Sequence, residues 1–197
     1  MKKIVFASHN KDKIRELSAK LGSEFELITL HELPDMPDVI EDGETLEENA
    51  LKKSREIFEF SGLPCLADDT GLEVRALDGA PGVYSARYAG ENVTYDDNVN
   101  KLLKEMKPIP REQRDALFRT VMAYTDKNGS LTAEGATAGL ICEKKQGDSG
   151  FGYDPVFYVP EKNKTYSEMT LNEKNELSHR GKAVNNIISL LRNKGIL

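Results

Sequence analysis

Asn128-Gly129 stands between two long strand-like runs, Phe118 to Thr125 and Leu131 to Glu143, and constrains the fold more than any other stretch of the chain. Both central residues of a type I′ turn tolerate positive φ, so the pair predicts a β-hairpin. The first thirty residues follow a different rule. Ile4 to Ala7 is a short continuous apolar run, as expected of a buried strand. It passes directly into a helix beginning near Asn10, with Ile14, Leu17 and Leu21 on one face, and Phe25 to Leu30 gives a second strand. Strand–helix alternation followed by a long hairpin predicts a mixed α/β sheet. With 197 residues, the chain is long enough for one large domain, or for two lobes sharing a sheet around a real core.

The remaining elements read as follows. Pro34 to Gly43 is an acidic, proline-containing loop. Thr45-x-x-Glu48 is a capping box, in which each side chain satisfies an orphan N–H at a helix start. The helix runs from Thr45 to Phe60, and Gly62-Leu63-Pro64 stops it. Cys65 to Ala67 is strand-like, and Gly71 to Ala76 continues the sheet after an interruption at Asp68-Asp69-Thr70. Thr94 to Met106 is a helix with Val99, Leu102 and Leu103 inward. Gly147 to Gly152 is a glycine-rich loop, followed by a short strand at Val156 to Val159. The last helix follows Ser178, with Val184, Ile187, Ile188 and Leu191 on its apolar face. Repeats, low-complexity tracts and an interdomain linker are absent from the sequence.

Within the second helix the apolar ladder is Leu46, Ala50, Ile57 and Phe60. At 3.6 residues per turn Lys53 falls inside that ladder, away from the charged back of Glu48, Lys52, Arg55 and Glu59. A buried lysine is costly without a partner, so Lys53 wants an anion. Two charged clusters lie near it in sequence, Ser8-His9-Asn10-Lys11-Asp12-Lys13 and Asp68-Asp69-Thr70. Lysines with paired carboxylates point to a phosphorylated substrate and a divalent metal.

A strand leading straight into a helix leaves N–H groups that favour phosphate, and Ser8 and Asn10 serve there as caps or as ligands. Lys13 lies one turn in, and its side chain leans back toward the N-terminus. An ordinary capped surface helix is the competing reading. Asp68 and Asp69 stand where the backbone turns at a strand end, one facing the site and the other supporting it; a polar turn is the alternative. Their hard oxygens suit Mg²⁺, which uses only one or two carboxylates besides substrate phosphates. Glu41, on the loop, is the member of the acidic run Glu41, Asp42, Glu44, Glu47, Glu48 best placed to join them; the rest decorate the helix dipole and the solvent face. Phe151-Gly152-Tyr153-Asp154-Pro155 offers rings for stacking on a base or for anchoring a loop. In Ser178-His179-Arg180 the serine is an N-cap, and a solvated His-Arg pair is the plain reading.

Several chemistries are excluded. GxxxxGK[ST] and GxSxG do not occur, the acids do not form DxDxT, and the three histidines lack zinc spacing. A net charge of −6 argues against a polymeric nucleic acid as partner, though not against a small anion in a basic pocket. Cys65 and Cys142 have no metal-ligand spacing and read as buried free thiols. Lys2-Lys3 precedes an apolar run too short for a signal peptide, and no segment approaches membrane-spanning length, so no membrane is expected and the cytoplasm is the expected compartment.

The ordered set Ser8-His9-Asn10-x-x-Lys13, the approach from Glu41 to Lys53, Ala67-Asp68-Asp69-Thr70-Gly71-Leu72, Gly79 to Tyr88, Phe151 to Pro155 and Ser178 to Gly181 resembles the inosine triphosphate pyrophosphatase family from about Lys3 to Arg192. The resemblance implies an elongated mixed α/β sheet flanked by helices, in two lobes with an active-site cleft between them. It also implies a homodimer and Mg²⁺-dependent hydrolysis of ITP, dITP and XTP to the monophosphate and pyrophosphate. Carried over by position, Ser8, His9, Asn10, Lys11, Asp12, Lys13 and Lys53 would hold the triphosphate. Glu41 and Asp69 would hold Mg²⁺, with Asp69 also the proton acceptor, and Thr70 would touch substrate. Phe151, Gly152, Tyr153, Asp154, Lys174, His179 and Arg180 would receive the base. His9 departs from the small residue common at its position, and Tyr153 replaces a tryptophan found in some members. Two other readings stay open: a pyrophosphatase for modified pyrimidine nucleotides on a related fold, and a nucleotide sensor without turnover.

Overall fold

The computed structural model describes residues 2–21, 25–33, 36 and 38–196. The strands are β1 (Lys2–Phe6), β2 (Phe25–Thr29), β3 (Cys65–Val74), β4 (Pro81–Gly82), β5 (Asp115–Asp126), β6 (Gly129–Ile141), β7 (Phe157–Val159) and β8 (Lys164–Thr165). The helices are α1 (Lys11–Leu21), α2 (Leu46–Ser61), α3 (Tyr95–Met106), α4 (Leu171–Leu177) and α5 (His179–Asn193). The strands form a single mixed sheet in the order β2-β1-β3-β5-β6-β7-β8, with β4 paired to β3. β1 lies parallel to β2 and β3, whereas β4, β7 and β8 join antiparallel. The chain divides into two compact units: Met1–Asp69, Thr120–Gly135 and Ser178–Leu197 in the first, Thr70–Arg119 and Ala136–Leu177 in the second.

In the first unit, strand periodicity decides what meets what. Ile4 and Phe6 pack with Leu66, Met122, Leu17 of α1 and Val184, Ile187 and Leu191 of α5. Val5 and Ala7, which point to the opposite face, pack with Cys65, Ala67 and Ile57 of α2. Both faces are therefore covered, which is why β1 reads as an unbroken apolar run. In the second unit Leu72 and Val74 of β3 join Val99, Leu102 and Met106 of α3, with Phe118, Phe157 and Tyr166. The Phe118 and Phe157 rings meet edge to face at 5.1 Å.

Several expectations are corrected. The hairpin forms, but Lys127 and Asn128 are its turn residues; Gly129, at φ 125°, opens β6, and Asn128 does not adopt positive φ. The Asp126 carboxylate accepts the Asn128 N–H at 2.7 Å, a side chain–backbone turn that replaces the type I′ geometry. Asp68-Asp69-Thr70 does not interrupt the sheet, since β3 runs straight through it. Phe60 is exposed; the inward face of α2 is Leu46, Asn49, Ala50, Lys53, Ser54 and Ile57. Cys65 is buried but Cys142 only half so; both are free thiols. Of the acidic loop, Pro34, Asp35 and Pro37 lie outside the described residues.

Candidate active site

Alternation along β3 sends its two adjacent acids apart. Asp68 follows the register of Leu66, toward α1 and α5, and Asp69 follows that of Ala67, toward α2. Asp68 Oδ1 accepts from Lys13 Nζ at 3.1 Å, and its Oδ2 accepts from Arg180 Nε at 3.2 Å. Arg180 Nη1 also donates to Glu16 Oε2 at 2.5 Å. Asp68, Glu16 and Arg180 are all buried, so each charge is offset by a close opposite one. Asp69 Oδ2 accepts from Asn49 Nδ2 at 3.0 Å.

The segment preceding α2 is strapped to that helix residue by residue. Glu41 Oε1 accepts from Lys53 Nζ at 3.0 Å, and Asp42 Oδ1 from Lys52 Nζ at 2.6 Å. The Gly43 N–H donates to Asn49 Oδ1 at 2.8 Å. The Glu44 and Thr45 N–H groups both donate to Glu48 Oε2, at 2.8 and 3.2 Å. Thr45 closes the capping box by accepting from the Glu48 N–H. Lys53 also donates to the Asp68 carbonyl at 2.6 Å, so its ammonium joins the strap to β3.

At the start of α1 the caps form as read. Ser8 Oγ accepts from the Asn10 N–H, and Asn10 Oδ1 accepts from the N–H groups of Asp12 and Lys13 at 3.0 and 3.3 Å. His9 and Lys11 are exposed, with His9 Nε2 3.8 Å from Asp38 Oδ1.

Charge and burial set the protonation tendencies. Burial pushes the Asp68 carboxyl up, but Lys13, Arg180 and Lys53 outweigh it and hold the group well below the usual carboxylate range. Burial raises Asp69, which Lys53 opposes and the nearby Glu41 charge reinforces. Lys13 is lowered by burial despite Asp68, while Lys53 is raised because Glu41, Asp69 and Asp68 together overcome its burial. Glu41 and Asp69 thus form a pair of mutually repelling hard oxygen donors. Among the described residues no three or more His, Cys, Asp or Glu gather as metal ligands, and Glu41 and Asp69 together offer two carboxylates. Such a set fits Mg²⁺.

The second unit holds its own cluster. Lys174 Nζ donates to Asp154 Oδ2 at 2.6 Å, and the same oxygen accepts from the Phe151 N–H at 2.8 Å. The ammonium lies 4.8 Å from the Phe151 ring centroid and 5.6 Å from that of Tyr166. Tyr153 is in the core and donates to the Ser85 carbonyl at 2.9 Å. Of the two rings in this motif, Tyr153 is the anchor, whereas Phe151 is half-buried against Tyr95 at 5.8 Å. Gly150, at φ 80°, leaves no room for a side chain: a Cβ there would stand 2.2 Å from Asp154 Oδ2.

A model of the Ham1 family matches residues 4–190. The chain belongs to the Ham1 family. It is 50% identical over 186 residues to a dITP/XTP pyrophosphatase of Geobacter sulfurreducens, covering 93% of this chain and 94% of that one. It is 46% identical over 205 residues to a dITP/XTP pyrophosphatase of Clostridium perfringens, covering both chains in full. A solved HAM1 protein from Coxiella burnetii superposes with a TM-score of 0.89 at 40% identity, over 98% of this chain and all of that one. The Staphylococcus aureus Ham1 protein gives 0.88 at 39% identity over the same shares.

In this Ham1 chain the first unit brings together Lys13, Glu41, Lys53, Asp69 and Arg180, with His179 buried beside Arg180 on α5. The solvated His-Arg pair is therefore overturned, because α5 presents both residues inward. The second unit holds Thr70, Phe151, Gly152, Tyr153, Asp154 and Lys174. Sequence reasoning missed Glu16 and Asn49. Asn49 had a signal, four residues before Lys53 on the same face; Glu16 had none, because its partner is 164 residues away.

Proposed function

We propose that this Ham1 chain hydrolyses ITP, dITP and XTP with Mg²⁺, releasing the nucleoside monophosphate and pyrophosphate. Clearing such purine nucleotides would keep them out of DNA and RNA. The names of the relatives support the substrate class. The observation that carries the chemistry is Lys53, whose ammonium joins Glu41 to the backbone of Asp68 beside the Asp69 carboxylate. A place that already holds cations against carboxylates suits a polyphosphate brought in with a metal.

In this reading Ser8, His9, Asn10, Lys11, Asp12, Lys13 and Lys53 bind the triphosphate, the two lysines neutralising its charge. Glu41 and Asp69 hold Mg²⁺, which when bound neutralises charge on phosphate oxygens. Asp69 also orients the attacking water and takes its proton, and the upward push from burial brings its basicity nearer that task. Water oxygen bonds to the α-phosphorus as the bond to the bridging oxygen breaks, and pyrophosphate leaves. Thr70 touches substrate, and Phe151, Gly152, Tyr153, Asp154, Lys174, His179 and Arg180 receive the base. A donor such as Lys174 pairs with a 6-oxo purine and meets the 6-amino group of adenine donor to donor. The protein acts as a homodimer in the cytoplasm; no helix among the described residues is long and apolar enough to cross a membrane.

The test is product analysis with ITP, dITP, XTP, GTP, ATP and modified pyrimidine triphosphates in the presence and absence of Mg²⁺. The expected result is equimolar pyrophosphate and monophosphate from ITP, dITP and XTP, strictly metal-dependent and abolished in Asp69→Asn. Orthophosphate as product, a preference for pyrimidines, or binding without turnover would overturn the reading.

A further inference from the structure

Asn49 is fully buried, yet neither end of its carboxamide faces another side-chain amide or a hydroxyl. The Gly43 N–H can only donate, so the atom facing it is the carbonyl oxygen. The amide nitrogen is then the atom 3.0 Å from Asp69 Oδ2, and a carboxylate can only accept there. The two bonds fix the orientation of the carboxamide without ambiguity. We infer that Asn49 is a positioning residue of the hydrolytic reaction, its carboxamide fixing the rotation of the Asp69 carboxylate against the backbone that carries Glu41.

Asparagine combines an acceptor and a donor within this short reach. Aspartate keeps the acceptor for Gly43 but sets an oxygen against Asp69 Oδ2. Leucine has the volume and leaves both partners unbonded; serine is too short and glutamine one carbon too long. Gly43 belongs to the same device. A Cβ there would lie 2.7 Å from Asn49 Oδ1 and 2.9 Å from Glu48 Cβ, so only glycine lets the backbone approach the carboxamide. Its φ is not in the left-handed region, so the requirement is space and not backbone freedom. With the Glu44 and Thr45 N–H groups held by Glu48, the backbone following Glu41 cannot move without pulling on Asn49 and hence on Asp69.

The inference rests on the hydrolytic reading above, and the experiment separates the two. Wild type, Gly43→Ala, Asn49→Ala and the double variant are compared for kcat and KM on ITP, corrected for folded fraction, and for the rise in Tm that Mg²⁺ produces without nucleotide. Outer partners of metal-holding groups are worth about 10- to 100-fold in affinity or activity. Asn49→Ala is expected to lose kcat by about that factor, with KM changed less than about threefold because both lysines remain, and to lose most of the Mg²⁺-induced rise. Gly43→Ala meets both the Asn49 carboxamide and Glu48 Cβ, so in the Asn49→Ala background it should keep the Glu48 part of its kcat loss and shed the part carried by Asn49, making the two losses less than additive. Wild-type kcat per folded molecule in Asn49→Ala, or independent additive losses, would overturn the inference. If Asn49→Ala does not fold, Asn49→Asp keeps the Gly43 bond and carries the same kcat criterion. An inactive wild type would instead count against the hydrolytic reading.

Discussion

Lys53 shows what a single side chain can reveal before any contact is known and what only its contacts add. Helical spacing placed it inward and demanded an anion; by that argument alone, Lys53→Met, an apolar residue on an apolar face, would fold as well as the parent. Its hydrogen bond to the Asp68 carbonyl changes the expectation, because that carbonyl is buried and methionine cannot donate to it. Losing that charge-assisted bond costs about 1.5–3 kcal/mol. Lys53→Met is therefore expected to lower the urea midpoint modestly while turnover of ITP falls below detection; an active Lys53→Met protein would contradict both the charge argument and the assignment. The buried partners of Arg180 were not legible in the same way. Periodicity reports which way a residue faces, but Asp68 and Glu16 lie 112 and 164 residues from Arg180, and no local pattern encodes such a pairing.

Among elements, the long ones were legible and the short ones were not. The capping box, the buried first strand, the hairpin and the last helix each carry a signal spread over many residues. β4 and β8 have two residues apiece and α4 seven, too few for any period to emerge. The run of acids in β3 misled for a physical reason. Charged residues are rare in a buried strand, and only lysine and arginine partners from distant elements make them tolerable there. One contact between elements was hidden altogether: Gly135 of β6 lies directly against α5, where a Cβ would stand 2.1 Å from the His179 carbonyl and 2.3 Å from the Ala183 nitrogen. Both obstacles are backbone, so no rotamer change relieves them. Gly135→Ala should push α5 off the sheet at a cost of about 1–3 kcal/mol or more and displace His179 and Arg180 with it. The expected result is a lowered Tm with ITP turnover falling further than the unfolded fraction explains; a wild-type Tm would show that α5 is not seated as described.

For the whole molecule, the two adjacent acids pull stability in opposite directions with pH. Asp68 is held below its unfolded value near 3.8, so its contribution is complete above about pH 5 and is lost as pH falls through the unfolded value toward the folded one. Asp69 is raised by burial, so the folded protein tolerates its charge less well than the unfolded chain does, and stability is given up as pH climbs past the unfolded value. At pH 7 Asp68→Asn should destabilise by about 3 kcal/mol or more, leaving Lys13 without its carboxylate and Arg180 with Glu16 alone, whereas Asp69→Asn should stabilise. Both differences should shrink below about pH 4, where the unfolded chain takes up the Asp68 proton and the native Asp69, raised by burial, has begun to protonate. Urea midpoints measured from pH 3 to 8 check this, and the same sign for the two variants at pH 7 would refute it. The sequence displayed the pair of acids, but their opposite signs required knowing that Lys13 and Arg180 overcome burial at Asp68, whereas burial and the Glu41 charge prevail at Asp69.

The strap from Glu41 to Thr45 also fixes an order of events during synthesis. Each of its partners lies on α2, 3 to 12 residues along the chain, so it can close as soon as that helix has left the ribosome. Asp68 meets Lys13 early, but its second cation, Arg180, comes only with α5. The carboxylate at Glu41 is in place first, the Arg180 bond to Asp68 closes only once α5 has emerged, and a nascent polypeptide stalled before α5 carries Asp68 with Lys13 but without Arg180.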